Sequence, residues 1–404
     1  MNKDLLWTAA EFGTPEYLYD LDVLTRRLQL TRQQLSGTAS VCFAMKANPM
    51  LADRAARIAE RIEACSPGEY EICMKKRIPP EKILVSGVLK TRESMTRILN
   101  ASGGKGIYTA ESPAQYQLLS ELARERGVIL PVLLRLSSGN QFGMSREDLE
   151  QLIRGRKQHP EIKIAGLHYF SGTQKKRKKS AQELQMLDQY AAELLERYNF
   201  GPVMLEYGAG LPVSYFREDP GAQDSETLQD EEALDELHAL KERLAAVHGF
   251  STICVELGRF LAAVCGSYLT TVKDVKSTDG MRVCITDGGI HQLNYDGQIV
   301  GMKLPYLSFL QKAKQETGME PETAVCGALC TTNDILYRGS GIPPLQPGDI
   351  LVFERCGAYS ACEGMSLFLS RELPRIVLYS AEKGFETARD ERETACFNAG
   401  SLIG

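Results

Sequence analysis

The sequence is poor in the residues that build metal centres and disulfide frameworks. Only five histidines occur in 404 residues, which argues against a histidine-rich metal site. The eleven cysteines are scattered, with no Cys-x-x-Cys pair and no metal-ligand spacing against histidine. We therefore predict that the chain binds no metal, and the scattered cysteines favour a reduced, cytoplasmic setting.

Signals for a membrane or a nucleic acid are also missing. No apolar run is long enough to span a bilayer, and the N-terminal stretch MNKDLLWTAAEFGTPEYLYD has acidic residues and no sustained apolar core, unlike a signal peptide. The net charge of −5 gives no reason to expect nucleic acid as a partner. The one strongly basic run, QKKRKKS, contains no interleaved aromatic residues, which weakens that role further.

Strand-like and helix-like segments alternate between about Ser40 and Glu256. Amphipathic stretches such as PAQYQLLSELARERG and REDLEQLIRGRKQ predict helices, and the apolar runs between them predict strands. This alternation predicts a (β/α)8 TIM-like barrel, whose chemistry lies at the C-terminal strand ends. A doubly wound open sheet is the alternative, but no early glycine-rich dinucleotide fingerprint supports it. The eight predicted strands are SVCFAMKA, RIEACS, KILVSG, GIYTA, ILPVLLRL, IKIAGLHYF, VMLEYG and TICVEL.

After Glu256 the pattern becomes strand-like with short turns. GSYLTTVKDVKS, MRVCITDGG, ETAVCGALC, DILVFERCGAY and PRIVLYS follow one another with little helical periodicity. A chain of 404 residues is longer than a single core usually grows, so two domains are expected. We predict a barrel at 21–262 and a β-rich domain at 263–404, which residues 1–20 join.

The predicted strand ends carry unusual side chains. Lys46 follows the first apolar run, and a buried ammonium is costly unless it is paired or chemically converted. The alternative is that Lys46 is merely the first solvated residue after the strand. Arg135 lies near the end of the fifth strand, and the glycine-bearing segments HYFSGTQ, YGAG and ELGR end the last three. Together they suit a cofactor that has an aldehyde and a phosphate.

Six ordered motifs extend this hypothesis to a family. FAMKAN, GLHYFSGTQ, YGAGLPVSYF, ELGRFLA, CGALCTTND and CGAYS resemble those of the fold-type III pyridoxal-phosphate decarboxylases, the group of diaminopimelate and ornithine decarboxylases. The resemblance covers nearly the whole chain. It implies pyridoxal 5′-phosphate as cofactor, loss of an α-carboxylate as reaction, and a homodimer with shared active sites.

The resemblance also implies roles for individual residues. Lys46 would bind the cofactor covalently, and Glu256 would face its pyridine nitrogen. Glu63 and Arg135 would form a charge pair beneath the cofactor, although an ion pair with only a structural role is an open alternative. The residues that match the phosphate site are Thr173, Gly208, Gly210, Gly258, Arg259 and Tyr359.

A late loop would complete the active site from the partner subunit. Cys330 matches the cysteine that the family presents across the dimer interface to protonate the α-carbon. Asp334 matches the acid that supports this loop. Thr331 and Phe368 match positions at the far end of the substrate. The other ten cysteines are expected to be buried apolar residues.

Several positions depart from the family pattern. Phe170 replaces the histidine that stacks on the cofactor ring, while His168 keeps the earlier histidine. Thr331 replaces an acid that receives the far amine of a diamine, and Leu369 replaces an asparagine. These departures resemble the branch that acts on conjugated or carrier-tethered amino acids in antibiotic or siderophore-type metabolism. Diaminopimelate decarboxylation is the alternative.

The run Lys175–Lys179 follows the sixth predicted strand and is therefore expected on the active-site rim. A basic rim would attract an acidic carrier protein. A solvated loop with no partner explains the run equally well. Two other classes remain, a racemase and a cofactor-carrying protein without activity. Glu256 argues against the first, because racemases of this fold place an arginine at the pyridine nitrogen. Cys330 and the β-rich domain argue against the second.

Overall fold

The computed structural model describes residues 3–217, 224–295, 303–311 and 322–400. Its strands are β1 (Glu16–Asp20), β2 (Ser40–Ala44), β3 (Arg61–Ala64), β4 (Ile83–Val85), β5 (Ile107–Ala110), β6 (Leu130–Arg135), β7 (Ile162–Phe170), β8 (Met204–Gly208), β9 (Thr252–Leu257), β10 (Gly266–Thr278), β11 (Met281–Thr286), β12 (Leu307–Leu310), β13 (Thr323–Cys326), β14 (Ile335–Gly339), β15 (Ile350–Phe353), β16 (Arg375–Ser380) and β17 (Gly384–Arg389).

The α-helices of the described residues are α1 (Lys3–Ala10), α2 (Leu21–Leu35), α3 (Ala52–Ala56), α4 (Pro67–Lys75), α5 (Arg92–Ser102), α6 (Pro113–Arg126), α7 (Arg146–Gly155), α8 (Arg177–Tyr198), α9 (Glu226–Ala245), α10 (Arg259–Ala262) and α11 (Ala395–Asn398). Within this part of the chain, no helix is both long and apolar enough to cross a membrane.

The strands β2 to β9 form a closed barrel in chain order, and each neighbouring pair is parallel. All eight predicted barrel strands are therefore confirmed. Their inward apolar side chains are buried, as expected of strands that are covered on both faces. Because the strands are parallel, their C-terminal ends meet at one rim, and this rim positions the residues of the candidate site.

The remaining strands form one mainly antiparallel sheet of nine strands. The strand β1 pairs with β10 and β16, so the segment ahead of the barrel lies in this sheet. Helix α1 packs on the sheet through Leu6 and Ala9, which contact a cluster of buried residues that includes Leu18 and Val352. The short strands β12, β14 and β17 were not predicted from the sequence.

The structure divides into two compact units. The barrel unit contains 25–212 and 232–261, and the β-rich unit contains 1–24, 213–231 and 262–404. The segment 213–231 was predicted in the barrel, yet it belongs to the β-rich unit. A buried ion pair accounts for this, because Asp224 accepts from the guanidinium of Arg355 at 2.7 Å.

The cysteines are less uniformly buried than predicted. None of the eleven, all of which the structure describes, forms a disulfide, and six of them are buried. Cys362 and Cys396 are exposed, so the expectation of a buried apolar residue is wrong for these two. Both lie in the last part of the β-rich unit, where the described elements are short.

Candidate active site

Lys46 lies directly after a buried strand, in the single 3-10 turn Met45–Ala47 that follows β2. Its ammonium Nζ donates to Glu63 Oε2 at 3.0 Å and to Glu256 Oε1 at 3.4 Å. The side chain is 33% exposed, whereas both carboxylates are almost fully buried. Lys46 is therefore neither a plain solvated residue nor an isolated buried charge. It is a partly accessible amine held between two acids.

Glu63 has a second donor besides the lysine. The hydroxyl of Ser86, the residue after β4, donates to Glu63 Oε1 at 2.6 Å. Burial raises the pKa of Glu63, and the neighbouring carboxylate of Glu256 raises it further, while Lys46 opposes both effects. The lysine therefore stabilises the charged form of an acid whose surroundings favour the neutral form.

His168 holds the other side of Glu256. Its Nε2 lies 3.2 Å from Glu256 Oε2, and the ring is buried. Burial, together with the positive charge of Arg135, lowers the pKa of His168 to about 3. The imidazole is thus neutral at ordinary pH. Its other nitrogen, Nδ1, is buried and has no hydrogen-bond partner within the described residues.

An aromatic ring covers the neighbouring strand end. The ring centre of Phe170, the last residue of β7, lies 5.4 Å from Lys46 Nζ. The ring packs on Gly208, where an added Cβ would lie 2.4 Å from Phe170 Cδ2. Glycine at 208 is therefore required for the ring to occupy this position. Phe170 is also placed where the lysine amine can contact its face.

Glu63 and Arg135 do not form the predicted charge pair, because each is paired with another residue. Arg135 donates to Glu111 Oε1 at 2.9 Å, and both side chains are buried. Arg135 lies beside His168 in the register of β6 with β7, which explains its effect on the imidazole. The Arg135 guanidinium also contacts the ring of Phe142, with 4.8 Å between its central carbon and the ring centre. Glu111 directly follows β5 and takes the place that the prediction gave to Glu63.

Five of the predicted phosphate residues lie at three neighbouring strand ends: Thr173 beyond β7, Gly208 and Gly210 at the end of β8, and Gly258 and Arg259 beyond β9. The buried Arg259 begins α10, and its Nε donates to Thr173 Oγ1 at 3.3 Å, which joins the end of β9 to the end of β7. Gly210 has a φ of +59°, a value that glycine adopts at little cost. Gly258 lies against the start of the barrel, where an added Cβ would be 3.0 Å from the Cβ of Ala47.

The run Lys175–Lys179 is not the uniformly exposed basic surface that the sequence predicted. Lys175 is buried and donates to Glu183 Oε2 at 2.8 Å. Arg177 is paired with Asp235 and Glu236. Three lysines of the run are exposed, at positions 176, 178 and 179.

The remaining predicted residues lie in the β-rich unit. Cys330 is exposed on the loop between β13 and β14, and Thr331 beside it is half-buried. The buried carboxylate of Asp334 organises this loop, since Oδ2 accepts from the Leu329 N–H at 2.7 Å and Oδ1 from the Ile290 N–H at 2.8 Å.

Two further predicted residues have unusual surroundings. Tyr359 has a φ of +65°, which is uncommon for a residue with a side chain. Phe368 is 42% exposed, and its neighbour Leu369 also has a positive φ. Both lie in the β-rich unit.

Three residues that contact the site were missed. Ser86 and Glu111 directly follow β4 and β5, so a rule that every strand end supplies a residue would have found them. Glu183 lies in the second turn of α8 and carries no such signal. In the described residues no group of three or more His, Cys, Asp or Glu could hold a metal ion.

Comparison with known proteins identifies the family. Residues 21–263 match the pyridoxal-binding domain of the pyridoxal-dependent decarboxylases, which is more than half of the chain. The chain belongs to the pyridoxal-dependent decarboxylase family. It is accordingly a carboxy-lyase that uses pyridoxal 5′-phosphate and acts on an amino acid.

Relatives extend over nearly the whole chain. The chain is 28% identical to the diaminopimelate decarboxylase of Zymomonas mobilis, over 93% of this chain and 90% of the relative. It is 25% identical to the 2-[(L-alanin-3-ylcarbamoyl)methyl]-2-hydroxybutanedioate decarboxylase of Staphylococcus aureus, over 91% of this chain and 94% of the relative. The crystal structure of a diaminopimelate decarboxylase from M. jannaschi has the same fold, with a TM-score of 0.82 at 21% identity, and the match covers 99% of this chain and 94% of that one.

The barrel residues suit this cofactor on three observations. The Lys46 amine is accessible and held by two acids. A buried nitrogen of His168 has no hydrogen-bond partner among the residues that the structure describes. Glycine turns and Arg259 lie at neighbouring strand ends, where backbone N–H groups and a guanidinium can bind a phosphate. When bound, pyridoxal phosphate supplies an aldehyde and a ring that accepts electrons.

Proposed function

We propose that the chain removes one α-carboxylate of diaminopimelate. The observation that carries this proposal is similarity over more than nine tenths of the chain to diaminopimelate decarboxylases, both in sequence and in fold. The fold alone would not select a substrate. The main interpretation of the sequence, a conjugated substrate, is therefore the second candidate.

Within the barrel, we propose that Lys46 binds the cofactor covalently and that Glu256 holds a proton at the pyridine nitrogen. Glu256 is suited to this task because the neutral imidazole of His168 lies 3.2 Å from its Oε2 and holds the carboxylate in place. Phe170 would cover the ring in place of a histidine. Thr173, Gly208, Gly210, Gly258 and Arg259 would bind the phosphate, with Tyr359 as a further member.

We further propose a homodimer in which the partner subunit supplies Cys330. The cysteine is exposed on a loop that Asp334 organises from inside, which is what a residue that acts across an interface requires. Its role would be to return a proton to the α-carbon after the carboxylate leaves. Thr331 and Phe368 would contact the far end of the substrate.

A conjugated amino acid is the second candidate, and Thr331 is the observation that favours it. The diamine enzymes that the chain resembles carry an acid here, whereas threonine offers a neutral hydroxyl that suits an amide or hydroxyl. The Staphylococcus aureus relative acts, by its name, on an amide-linked amino acid. A carrier protein has less support, because Lys175 is buried and Arg177 is paired with acids.

A carbon-dioxide release assay decides between the candidates. The enzyme, loaded with pyridoxal phosphate, would be given diaminopimelate, ornithine, lysine and a series of glutamyl amides and thioesters. We expect the highest kcat/KM for diaminopimelate. A conjugate processed roughly tenfold better than diaminopimelate would contradict this and establish the second candidate.

Thr331→Glu provides an independent test of the same choice. If diaminopimelate is the substrate and its far amine is bound elsewhere, kcat/KM for it should change by less than about threefold. If a conjugate is the substrate, the variant should lose conjugate turnover and gain diamine turnover, since an acid can bind an ammonium. Thr332→Glu, on the exposed next residue, is the matched control.

A further inference from the structure

Lys175 is the one member of the basic run with its side chain in the interior. Only 2% of the side chain is exposed, although its neighbour Lys176 lies in solvent. The residue lies between β7 and α8, on the rim that carries the candidate site. A buried ammonium is costly, so its position needs a compensating set of contacts.

Those contacts include both ends of one glycine turn. The backbone N–H of Lys175 donates to the Gly210 carbonyl at 2.8 Å. Its ammonium donates to the Gly208 carbonyl at 2.7 Å. One residue therefore holds the first and the last carbonyl of the turn Gly208–Ala209–Gly210.

This double contact fixes the direction of the turn's amide groups. In a planar trans peptide the carbonyl and the following N–H point in opposite directions. Since the Gly208 and Gly210 carbonyls point to Lys175, the N–H groups of Ala209 and Leu211 point away from it. The fit is close, because an added Cβ at Gly210 would lie 2.9 Å from Lys175 Cε.

Glu183 compensates the buried charge. Its Oε2 accepts from Lys175 at 2.8 Å and from the Tyr207 hydroxyl at 2.9 Å, and its Oε1 accepts from the Ser171 hydroxyl. Burial lowers the pKa of Lys175, and Glu183 opposes this shift. The ring centres of Tyr207 and Phe170 lie 4.8 and 5.7 Å from Lys175 Nζ, respectively. The ammonium is therefore enclosed on several sides.

We propose that Lys175 is a positioning residue that holds the Gly208–Gly210 turn in the conformation that binds the cofactor phosphate. Lys175 acts through the turn and does not touch the phosphate. The inference rests on the cofactor of the family and goes beyond the residues that the family resemblance assigned to the phosphate. It requires no particular amino-acid substrate.

Binding measurements on the protein without cofactor test this role. Lys175→Met keeps the backbone N–H and most of the side-chain volume but removes the donor to Gly208. We expect it to weaken pyridoxal phosphate binding roughly tenfold or more in a fluorescence titration. The rise in Tm that inorganic phosphate produces should also be lost. Lys176→Met, the exposed neighbour, should behave as wild type in both measurements.

A double variant separates positioning from simple stabilisation. Lys175→Met leaves Glu183 as an unpaired buried acid, which by itself would lower Tm. Adding Glu183→Gln removes that charge, so Tm should recover while cofactor affinity stays low. If Lys175→Met alone does not fold, the double variant is compared with Glu183→Gln.

Recovery of both Tm and cofactor affinity in the double variant would overturn the proposal, since the ion pair alone would then explain the defect. Wild-type affinity in Lys175→Met would overturn it as well. Neither readout needs turnover. A protein that binds pyridoxal phosphate normally but decarboxylates no compound in the substrate panel would refute the proposed substrates and leave this inference intact.

Discussion

Single residues in the barrel site differ in which partner compensates their charge. Glu63 and Glu256 share the Lys46 ammonium, whereas Glu111 depends on Arg135. A buried carboxylate that loses its direct cationic partner is left with most of its desolvation cost. Removing Arg135 should therefore lower the free energy of unfolding, and any change in the site should be a consequence of that loss of stability.

Arg135→Met should lower the free energy of unfolding by about 3–5 kcal/mol in urea denaturation, because it removes the direct ion-pair partner of the buried Glu111. The double variant Arg135→Met/Glu111→Gln should regain at least half of the loss. Arg146→Met, which breaks an exposed pair with Glu193, is the control and should cost less than about 1 kcal/mol. A loss no larger than this control would contradict the structural role of Arg135.

The low pKa of His168 predicts how the stability of the fold changes at acidic pH. The ordinary histidine pKa is 6.5 and burial lowers that of His168 to about 3, so between these values the unfolded chain binds the additional proton. Stability from this residue is therefore complete above about pH 6.5 and is lost as the pH falls toward 3.

His168→Gln keeps a neutral donor for Glu256 and removes the titrating group. The free energy of unfolding, measured in urea at several pH values from about 4 to about 7, should then fall less steeply with acid than in wild type, by up to one proton. Identical slopes in the two proteins would show that His168 is not held neutral by the fold.

At the scale of elements, the hydrophobic runs predicted all eight barrel strands because parallel strands are buried on both faces. The helices α4 and α6 begin after the N-cap serines Ser66 and Ser112, whose hydroxyls accept from the N–H groups of Glu69 and Gln115. In a capping box, Glu69 would accept in return from the N–H of the N-cap residue Ser66. It accepts instead from the N–H of the preceding residue, Cys65.

The prediction failed where partners depend on register or burial. The family resemblance paired Arg135 with Glu63, but the arrangement of the strands around the barrel places Glu111 beside the arginine instead. A run of five basic residues is typical of a solvated surface, so its sequence gave no sign that Lys175 folds inward. The strands β12, β14 and β17 were also missed, although they are no shorter than β4, which was predicted.

The loop between β13 and β14 depends on one carboxylate. Asp334 accepts from the N–H groups of Leu329 and Ile290. In Asp334→Asn one of the two acceptors is replaced by an amide NH₂, so one contact is lost. Amide hydrogen exchange at Leu329 or Ile290 should become roughly tenfold faster. Asn333→Ala, at the exposed neighbouring residue, is the control. Unchanged exchange at both amides would show that the loop holds its shape without Asp334.

At the scale of the whole molecule, the chain forms two units, and each unit is built from separate stretches of the sequence. The segment 213–231 leaves the barrel unit and belongs to the β-rich unit, where the ring centres of Phe216 and Tyr295 lie 5.6 Å apart. This excursion depends on long-range contacts such as that of Asp224 with Arg355, which a local pattern cannot reveal.

The proposed homodimer makes a prediction about mixed subunits. Lys46→Ala and Cys330→Ala chains are each expected to be inactive alone, because each lacks one part of every shared site. Random pairing would give half heterodimers with one intact site each, so the mixture should recover up to about a quarter of wild-type activity. No recovery, with subunit exchange demonstrated by mass spectrometry, would mean that each site is built within a single chain.

The central claim is that Lys46 is the covalent attachment point of pyridoxal phosphate. Purified protein would be loaded with the cofactor, reduced with borohydride, digested, and analysed by mass spectrometry. We predict that the label lies on the peptide that contains Lys46, that Lys176→Ala labels like wild type, and that Lys46→Ala carries no label. A reducible adduct of equal amount in Lys46→Ala, on any other lysine, would contradict the account.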